Sequence, residues 1–118
     1  MSKRIIVVED DVLVGLDLIE QLVECGFDAV GPFVTVADAI KDFEAHGCDV
    51  AVLDVNLGRE TSEGFATVLR SQDVPFVILS GYSREQHPRE FLNVASVSKP
   101  VHLPELVSIL TGFIPNAA

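Results

Sequence analysis

Basic side chains are scarce in this sequence: eight Lys and Arg stand against eighteen Asp and Glu, a formal net charge of −10. So acidic a chain lacks the basic face that nucleic acid or an anionic membrane surface requires. Direct nucleic-acid binding is therefore not expected, whereas a cationic ligand is favoured. Cysteine is nearly absent. Cys25 and Cys48 form neither CxxC nor a metal spacing, and both are expected to be reduced, structural and mostly buried. Long hydrophobic runs are missing as well. In "MSKRIIVVED" two basic residues precede an apolar stretch, as in a signal peptide, but Glu9 and Asp10 end it after Ile5 to Val8. That is too short for a secretory core, and nothing elsewhere approaches a membrane span. No membrane insertion and a cytoplasmic location are the expectations. Linkers, repeats and low-complexity segments are also lacking, so the 118 residues, 48% of them apolar, are expected to form one domain over 1–118 with no output domain.

What is present is a rhythm of apolar, β-branched runs: "RIIVV" (4–8), "AVGPFV" (29–34), "VAVLD" (50–54), "PFVILS" (75–80) and "VASVS" (94–98). The first, third and fourth carry no polar alternation, which predicts strands buried on both faces, as in a parallel sheet covered by helices. Gly31–Pro32 marks the second as the weakest and as an edge strand. Helical patterns fill the gaps. Over 11–25, Val12, Leu16, Ile19 and Val23 recur at helix spacing, and Gly26 suits the position past the end. Thr35 and Asp38 resemble a capping box for 36–46, which Gly47 stops. Segment 63–72 sets Phe65, Val68 and Leu69 on one face. Segment 83–92 is poorer, because Pro88 lies inside it. Segment 103–113 has Pro104 in its first turn and a face of Leu106, Val107, Leu110 and Phe113. The result is a (βα)5 chain, an α/β doubly wound parallel sheet of five strands.

In such sheets ligands sit beyond the carboxyl ends of the strands. Strand 1 ends in Glu9–Asp10–Asp11, strand 3 in Asp54, strand 4 in Ser80–Gly81 and strand 5 in Lys99–Pro100. Each alone has an ordinary reading. Asp11 suits a helix start, where acids complement the dipole; Ser80 is a common strand-end residue, and Lys99–Pro100 could be a surface turn with a cis bond. Together they are a constellation. Carboxylates a few ångströms apart repel, so they need a cation or a raised pKa. An all-oxygen donor set with few carboxylates suits Mg²⁺. A carboxylate beside Mg²⁺ and a lysine can attack phosphorus and become an aspartyl-phosphate, with cations offsetting the phosphoryl charge and a hydroxyl such as Ser80 donating to the product. His46, His87 and His102 lack ligand spacing and read as incidental.

These residues resemble the receiver domains of bacterial two-component response regulators, the CheY-like family, over essentially the whole chain. "VVEDD" is similar to the family's acidic pair, "LDVNLG" to its acceptor strand end, "ILSGY" to its hydroxyl position and "VSKP" to its Lys–Pro. The resemblance implies a flavodoxin-like strand order 2-1-3-4-5. It implies Asp54 as phosphoacceptor, Glu9, Asp10, Asp54 and the Asn56 carbonyl at Mg²⁺, and Ser80 and Lys99 on the phosphoryl group; Gly81 and Tyr82, next to that hydroxyl, are expected as the switch region, with Tyr82 either a loop anchor or the replacement switch aromatic. It further implies a sensor histidine kinase or phosphotransfer protein as donor, a downstream protein target, and a domain that catalyses its own phosphorylation and dephosphorylation. Three features depart from the common pattern. Ser96 stands where a switch aromatic is often found, the loop from Asp54 to Gly64 is longer than usual, and "NLG" replaces "NLP". "PFVILSGY" resembles the "PFxFATGY" receiver subgroup, often found as single domains, which also lacks that aromatic. Two other functions compete. A phosphorylation-independent binding module would not need Glu9, Asp10, Asp54, Ser80 and Lys99 intact. A haloacid-dehalogenase-type phosphatase carries its Asp-x-Asp on the first strand, not the third. No Gly-rich Lys-Ser/Thr loop supports a nucleotide-binding enzyme.

Overall fold

Alternation within each strand decides the layers. In the computed structural model, which describes residues 3–81 and 94–113, Ile5 and Val7 of β1 (Arg4–Val8) face one side and Ile6 and Val8 the other, all four fully buried. β3 (Val50–Asp54) and β4 (Phe76–Ser80) are buried along their whole length, as expected of strands covered on both faces. β2 (Asp28–Phe33) and β5 (Ser96–Ser98) are the edges of a wholly parallel sheet in the order β2-β1-β3-β4-β5. The doubly wound architecture is the one expected from the sequence pattern, and the strand order is the one the family resemblance implies.

One face of the sheet packs on α1 (Val12–Glu24) and α4 (Leu103–Phe113) through Leu18, Leu22, Leu106 and Leu110. The other packs on α2 (Val36–His46) and α3 (Glu63–Ser71) through Ala39, Phe65, Ala66 and Leu69. Truncating any of these buried leucines to Ala would cost about 2–5 kcal/mol. The helix ends follow the expected chemistry. Asp11 caps α1, accepting from the amides of Leu13 and Val14; Thr35 caps α2 through the Asp38 amide, 3.2 Å away. After α1, Gly26 N–H bonds Val23 O and Phe27 N–H bonds Leu22 O, the paired bonds of a Schellman ending in which Gly26 takes a left-handed φ of 98°.

Two expectations are corrected. The buried stripe of α1 is Gly15, Leu18 and Leu22, not the Val12–Leu16–Ile19–Val23 line; Val12, Leu16 and Val23 are exposed and Ile19 is only partly covered. The helix is apolar nearly all round, so periodicity alone offers two stripes. Close approach selects one: a Cβ on Gly15 would fall 2.7 Å from Cγ of Pro32, so only the glycine face can settle against β2. Cys25 is exposed at the α1 terminus and Cys48 is half-buried. Neither belongs to the fully buried core, because both sit where a helix has just ended. Smaller differences concern α4, whose Phe113 stays largely outside, and β5, which is confined to residues 96–98. The expected helix over 83–92, with Pro88 and His87, lies outside the described residues. Among the described residues, no helix is long and apolar enough to cross a membrane.

Candidate functional site

Register brings the strand ends together. Val8 pairs with Leu53, Asp54 with Leu79, and Ser80 with Ser98, so the residues just beyond β1 and β5 meet Asp54 at one edge. Glu9 is fixed by its backbone, whose N–H donates to Phe33 O at 3.0 Å, and its side chain is 1% exposed. Glu9 Oε1 also accepts from the Asp11 amide at 3.2 Å, so the residue that caps α1 holds the carboxylate as well. Asp54, 5% exposed, accepts from the Asn56 amide at 3.3 Å through Oδ1. Lys99 follows β5, its N–H bonded to Ser80 O at 3.0 Å, with a cis bond to Pro100. Its ammonium lies 2.8 Å from Asp54 Oδ2 and 3.2 Å from Glu9 Oε2.

Carboxylate oxygens of Glu9, Asp10 and Asp54 lie within 4.8 Å of one another. Three carboxylates against one ammonium leave a net charge of −2 when all are ionised. At that spacing and an intermediate dielectric, each like-charged pair repels by on the order of 3 kcal/mol. The free protein meets this partly with a proton. Burial, then hydrogen bonding to Asp54, pushes Glu9 up to about 7, against the pull of the Asp11 amide and Lys99. Burial alone would lower the Lys99 ammonium, but the hydrogen bond and charge of Asp54, with Glu9 behind them, hold it above its ordinary value. A divalent cation would answer the same repulsion more fully. The donors are all oxygen, Asp10 is exposed toward solvent, and the set fits Mg²⁺ with several waters retained.

Beside the cluster opens a cavity of about 390 Å³ lined by Asp10, Asp54, Asn56, Ser80, Gly81 and Lys99 among others. The structure thus joins Glu9, Asp10, Asp54 and Lys99 in one cluster and places Asn56, Ser80 and Gly81 on the same cavity. Tyr82 lies outside the described residues. His46, at the end of α2, and His102, just before α4, are exposed and do not line the cavity.

A family model described as the response regulator receiver domain matches residues 5–111. The chain belongs to the response regulator receiver family. Among solved structures, this receiver domain is similar to SdrG from Sphingomonas melonis Fr1, with TM-score 0.81, 32% identity, and 96% of this chain and 97% of that one covered. It shares its fold with TrrA from Thermotoga maritima, solved with Mg²⁺ and BeF, at TM-score 0.82 and 24% identity over 94% and 98% of the two chains. Among curated proteins it is 28% identical over 111 residues to the transcriptional regulatory protein PdtaR of Mycobacterium tuberculosis. That match covers 91% of this chain and 54% of PdtaR, so the receiver domain spans about half the length of this relative.

Two features of the site were not read from the sequence. Phe33, on the edge strand, anchors the backbone of Glu9, and nothing in "AVGPFV" signals that role. The loop after Asp54 is a small hairpin, with Asn56 bridged antiparallel to Thr61 and Leu57 N–H bonded to Glu60 O at 2.9 Å. Its signal is Gly58, whose φ of 85° suits the tight turn between them.

Proposed function

We propose that this receiver domain accepts a phosphoryl group on Asp54 from a phosphohistidine of a sensor kinase or phosphotransfer protein. In the transfer, an Asp54 carboxylate oxygen forms the new P–O bond, the P–N bond breaks, and the imidazole leaves with its electron pair. The observation that carries this reading is the ion pair of buried Asp54 with Lys99, 2.8 Å apart, inside a cluster that holds two further carboxylates. A nucleophilic carboxylate needs this setting: a cation close enough to orient it, and neighbours that attract a second cation.

Glu9, Asp10 and Asp54 would hold Mg²⁺, with the Asn56 carbonyl as a further ligand on the strength of the family resemblance. When bound, the ion offsets charge on the phosphoryl oxygens and draws donor and acceptor together. Lys99 orients the attacking carboxylate through the 2.8 Å contact and afterwards pairs with a phosphoryl oxygen. Ser80, 4% exposed on the cavity wall, donates its hydroxyl to another. Ser96 offers no ring to swing, so the change of surface is assigned to Ser80, Gly81 and the adjoining Tyr82. The output is contact with a downstream protein or onward transfer of the phosphate, in the cytoplasm. Incubation with Mg²⁺ and acetyl phosphate tests the assignment. One hydroxylamine-labile phosphate per chain is expected, lost in Asp54→Asn with the fold intact; full labelling of that variant would refute it.

A further inference from the structure

The hairpin that follows the acceptor is tied to a helix that takes no part in the site. Glu60, at the hairpin's outer end, reaches across 24 residues of sequence, and its Oε2 accepts from the Val36 amide at 3.1 Å. Val36 is the first residue of α2, where backbone N–H groups have no partner within the helix and an acid complements the dipole. Thr35 serves the Asp38 amide and Glu60 serves Val36, so two side chains from different parts of the chain complete one helix start. Packing draws the same regions together: a Cβ on Gly64, just past the hairpin, would stand 3.3 Å from Cγ1 of Val36.

From Glu60 the bonding runs back to the acceptor. Leu57 N–H bonds Glu60 O, Ser62 N–H bonds Val55 O at 3.0 Å, and Asn56 is bridged to Thr61. The Asn56 side chain accepts from the Gly58 amide at 2.9 Å, and the Asn56 amide donates to Asp54. Gly58 also brings the turn over Asp10, whose Oδ2 is 3.7 Å from where a Cβ would stand. Within the hairpin, Leu57 is buried in the α2–α3 core, while Gly58, Arg59 and Glu60 are exposed. The tip therefore has little apolar burial to hold it, and the Glu60 carboxylate supplies the anchor.

We propose that Glu60 is a positioning residue: it straps the 56–61 hairpin to the start of α2 and so fixes Asn56 and the turn over Asp10 in the geometry that metal and phosphoryl group require. The inference rests on the receiver reading of Asp54 and Asn56. It adds a reciprocal coupling, since whatever fixes the hairpin from the metal side must also steady the α2 terminus.

The test measures Mg²⁺ affinity and acetyl phosphate labelling rate in the full chain. Glu60→Ala should weaken Mg²⁺ binding by roughly three- to tenfold, the range typical for loss of a charged helix cap, and slow labelling comparably. Glu60→Gln, which keeps an acceptor oxygen, should stay within about twofold of wild type, because most of the hydrogen bond survives. Thr35→Ala separates the strap from mere helix stability, because it weakens the same helix start without touching the hairpin. It should lower the melting temperature and weaken Mg²⁺ binding less than Glu60→Ala does, since it reaches the hairpin only through the shared helix start. In wild type, Mg²⁺ should slow amide exchange at Val36, and Glu60→Ala should erase that effect. Unaltered Mg²⁺ affinity in Glu60→Ala, or an equal loss in Thr35→Ala, would overturn the strap while leaving the receiver reading standing. A wild-type chain that neither binds Mg²⁺ nor takes phosphate would overturn both.

Discussion

The two ends of the sheet each carry an ionic cluster, and they are built on opposite plans. At the amino end, Arg4 places Nη1 and Nη2 on the two Asp42 oxygens at 2.8 and 3.2 Å, reaches Gly47 O at 2.6 Å, and donates its own amide to Asp49 Oδ2 at 2.7 Å. These bonds pair the two terminal nitrogens of the guanidinium with acceptors, and the hydrogen bond to Asp42 holds the guanidinium firmly charged. At the carboxyl end, a lone ammonium faces two buried carboxylates and an exposed third. The first cluster is closed and closes the fold around it. The second sets three carboxylates, two of them buried, against one ammonium, whereas Asp42 and Asp49 around Arg4 are partly or fully open to water; buried excess charge is what folding alone would not select. An acidic cluster becomes informative when it is underpaired, buried and gathered from distant segments at once.

The sharpest way to break this asymmetry is Lys99→Met. Removing one preorganised cation from a phosphoryl-transfer site should lower the labelling rate by roughly 100-fold or more. Mg²⁺ should bind more tightly in the same variant, because a competing positive charge has gone. Opposite movements of rate and affinity would mark Lys99 as acting on the phosphoryl group. Parallel losses would mark it as a structural partner of Glu9.

Next in size is a pH dependence. Glu9 titrates near 7 in the folded chain against an ordinary 4.5, so between those values the folded state holds a proton that the unfolded chain has released. Stability must then fall as pH rises from about 4.5 through about 7 and level off above, with a slope of at most about 1.4 kcal/mol per pH unit for one proton. The raised Lys99 acts only at far higher pH, where its contribution fades as the ammonium is lost. Urea unfolding across pH 4.5–8 reads the slope directly. Saturating Mg²⁺ should flatten it, because the ion replaces the proton; a slope that rises with pH would mean other carboxylates dominate.

Much of this was legible in the sequence, and the physics says which parts. Buried parallel strands leave uninterrupted apolar runs, so β1, β3 and β4 could be read to within a residue. Polar residues at strand ends sit beside those runs, which made it readable that Glu9, Asp10, Asp54, Ser80 and Lys99 would meet at one edge. The buried face of α1 was not legible, because Val12, Leu13, Leu16, Leu18, Leu22 and Val23 surround the helix and only the contact of Gly15 with Pro32 decides between stripes. Glu60 was invisible for a different reason. A bond spanning 24 residues to a backbone amide leaves no local pattern.

Mg²⁺ sharpens the comparison from the ligand side. At tenfold excess over its dissociation constant, an ion that binds only the folded chain should add about 1.4 kcal/mol of stability. Thermal melts with and without the ion measure it, with Asp10→Asn as control. An equal shift in wild type and variant would place the ion elsewhere.

The smallest effect belongs to the closed cluster, and it is the control for all the others. Arg4→Met keeps an unbranched stem of similar reach, so the packing along β1 survives while the guanidinium bonds are lost. Asp42 and the Gly47 carbonyl are partly open to water, which can take the place of the missing donors, so the cost should be only about 1 kcal/mol. Transmission to the site should be negligible. The five residues of β1 separate the two clusters by roughly 16 Å at the usual rise per residue, about twice the screening length at physiological salt. Labelling rate and Mg²⁺ affinity should therefore stay within about twofold of wild type while the urea midpoint falls, as expected for sites this far apart without shared partners. A labelling defect in Arg4→Met comparable to that of Lys99→Met would show the two ends of the sheet to be coupled, and the division between a structural cluster and a chemical one would fail.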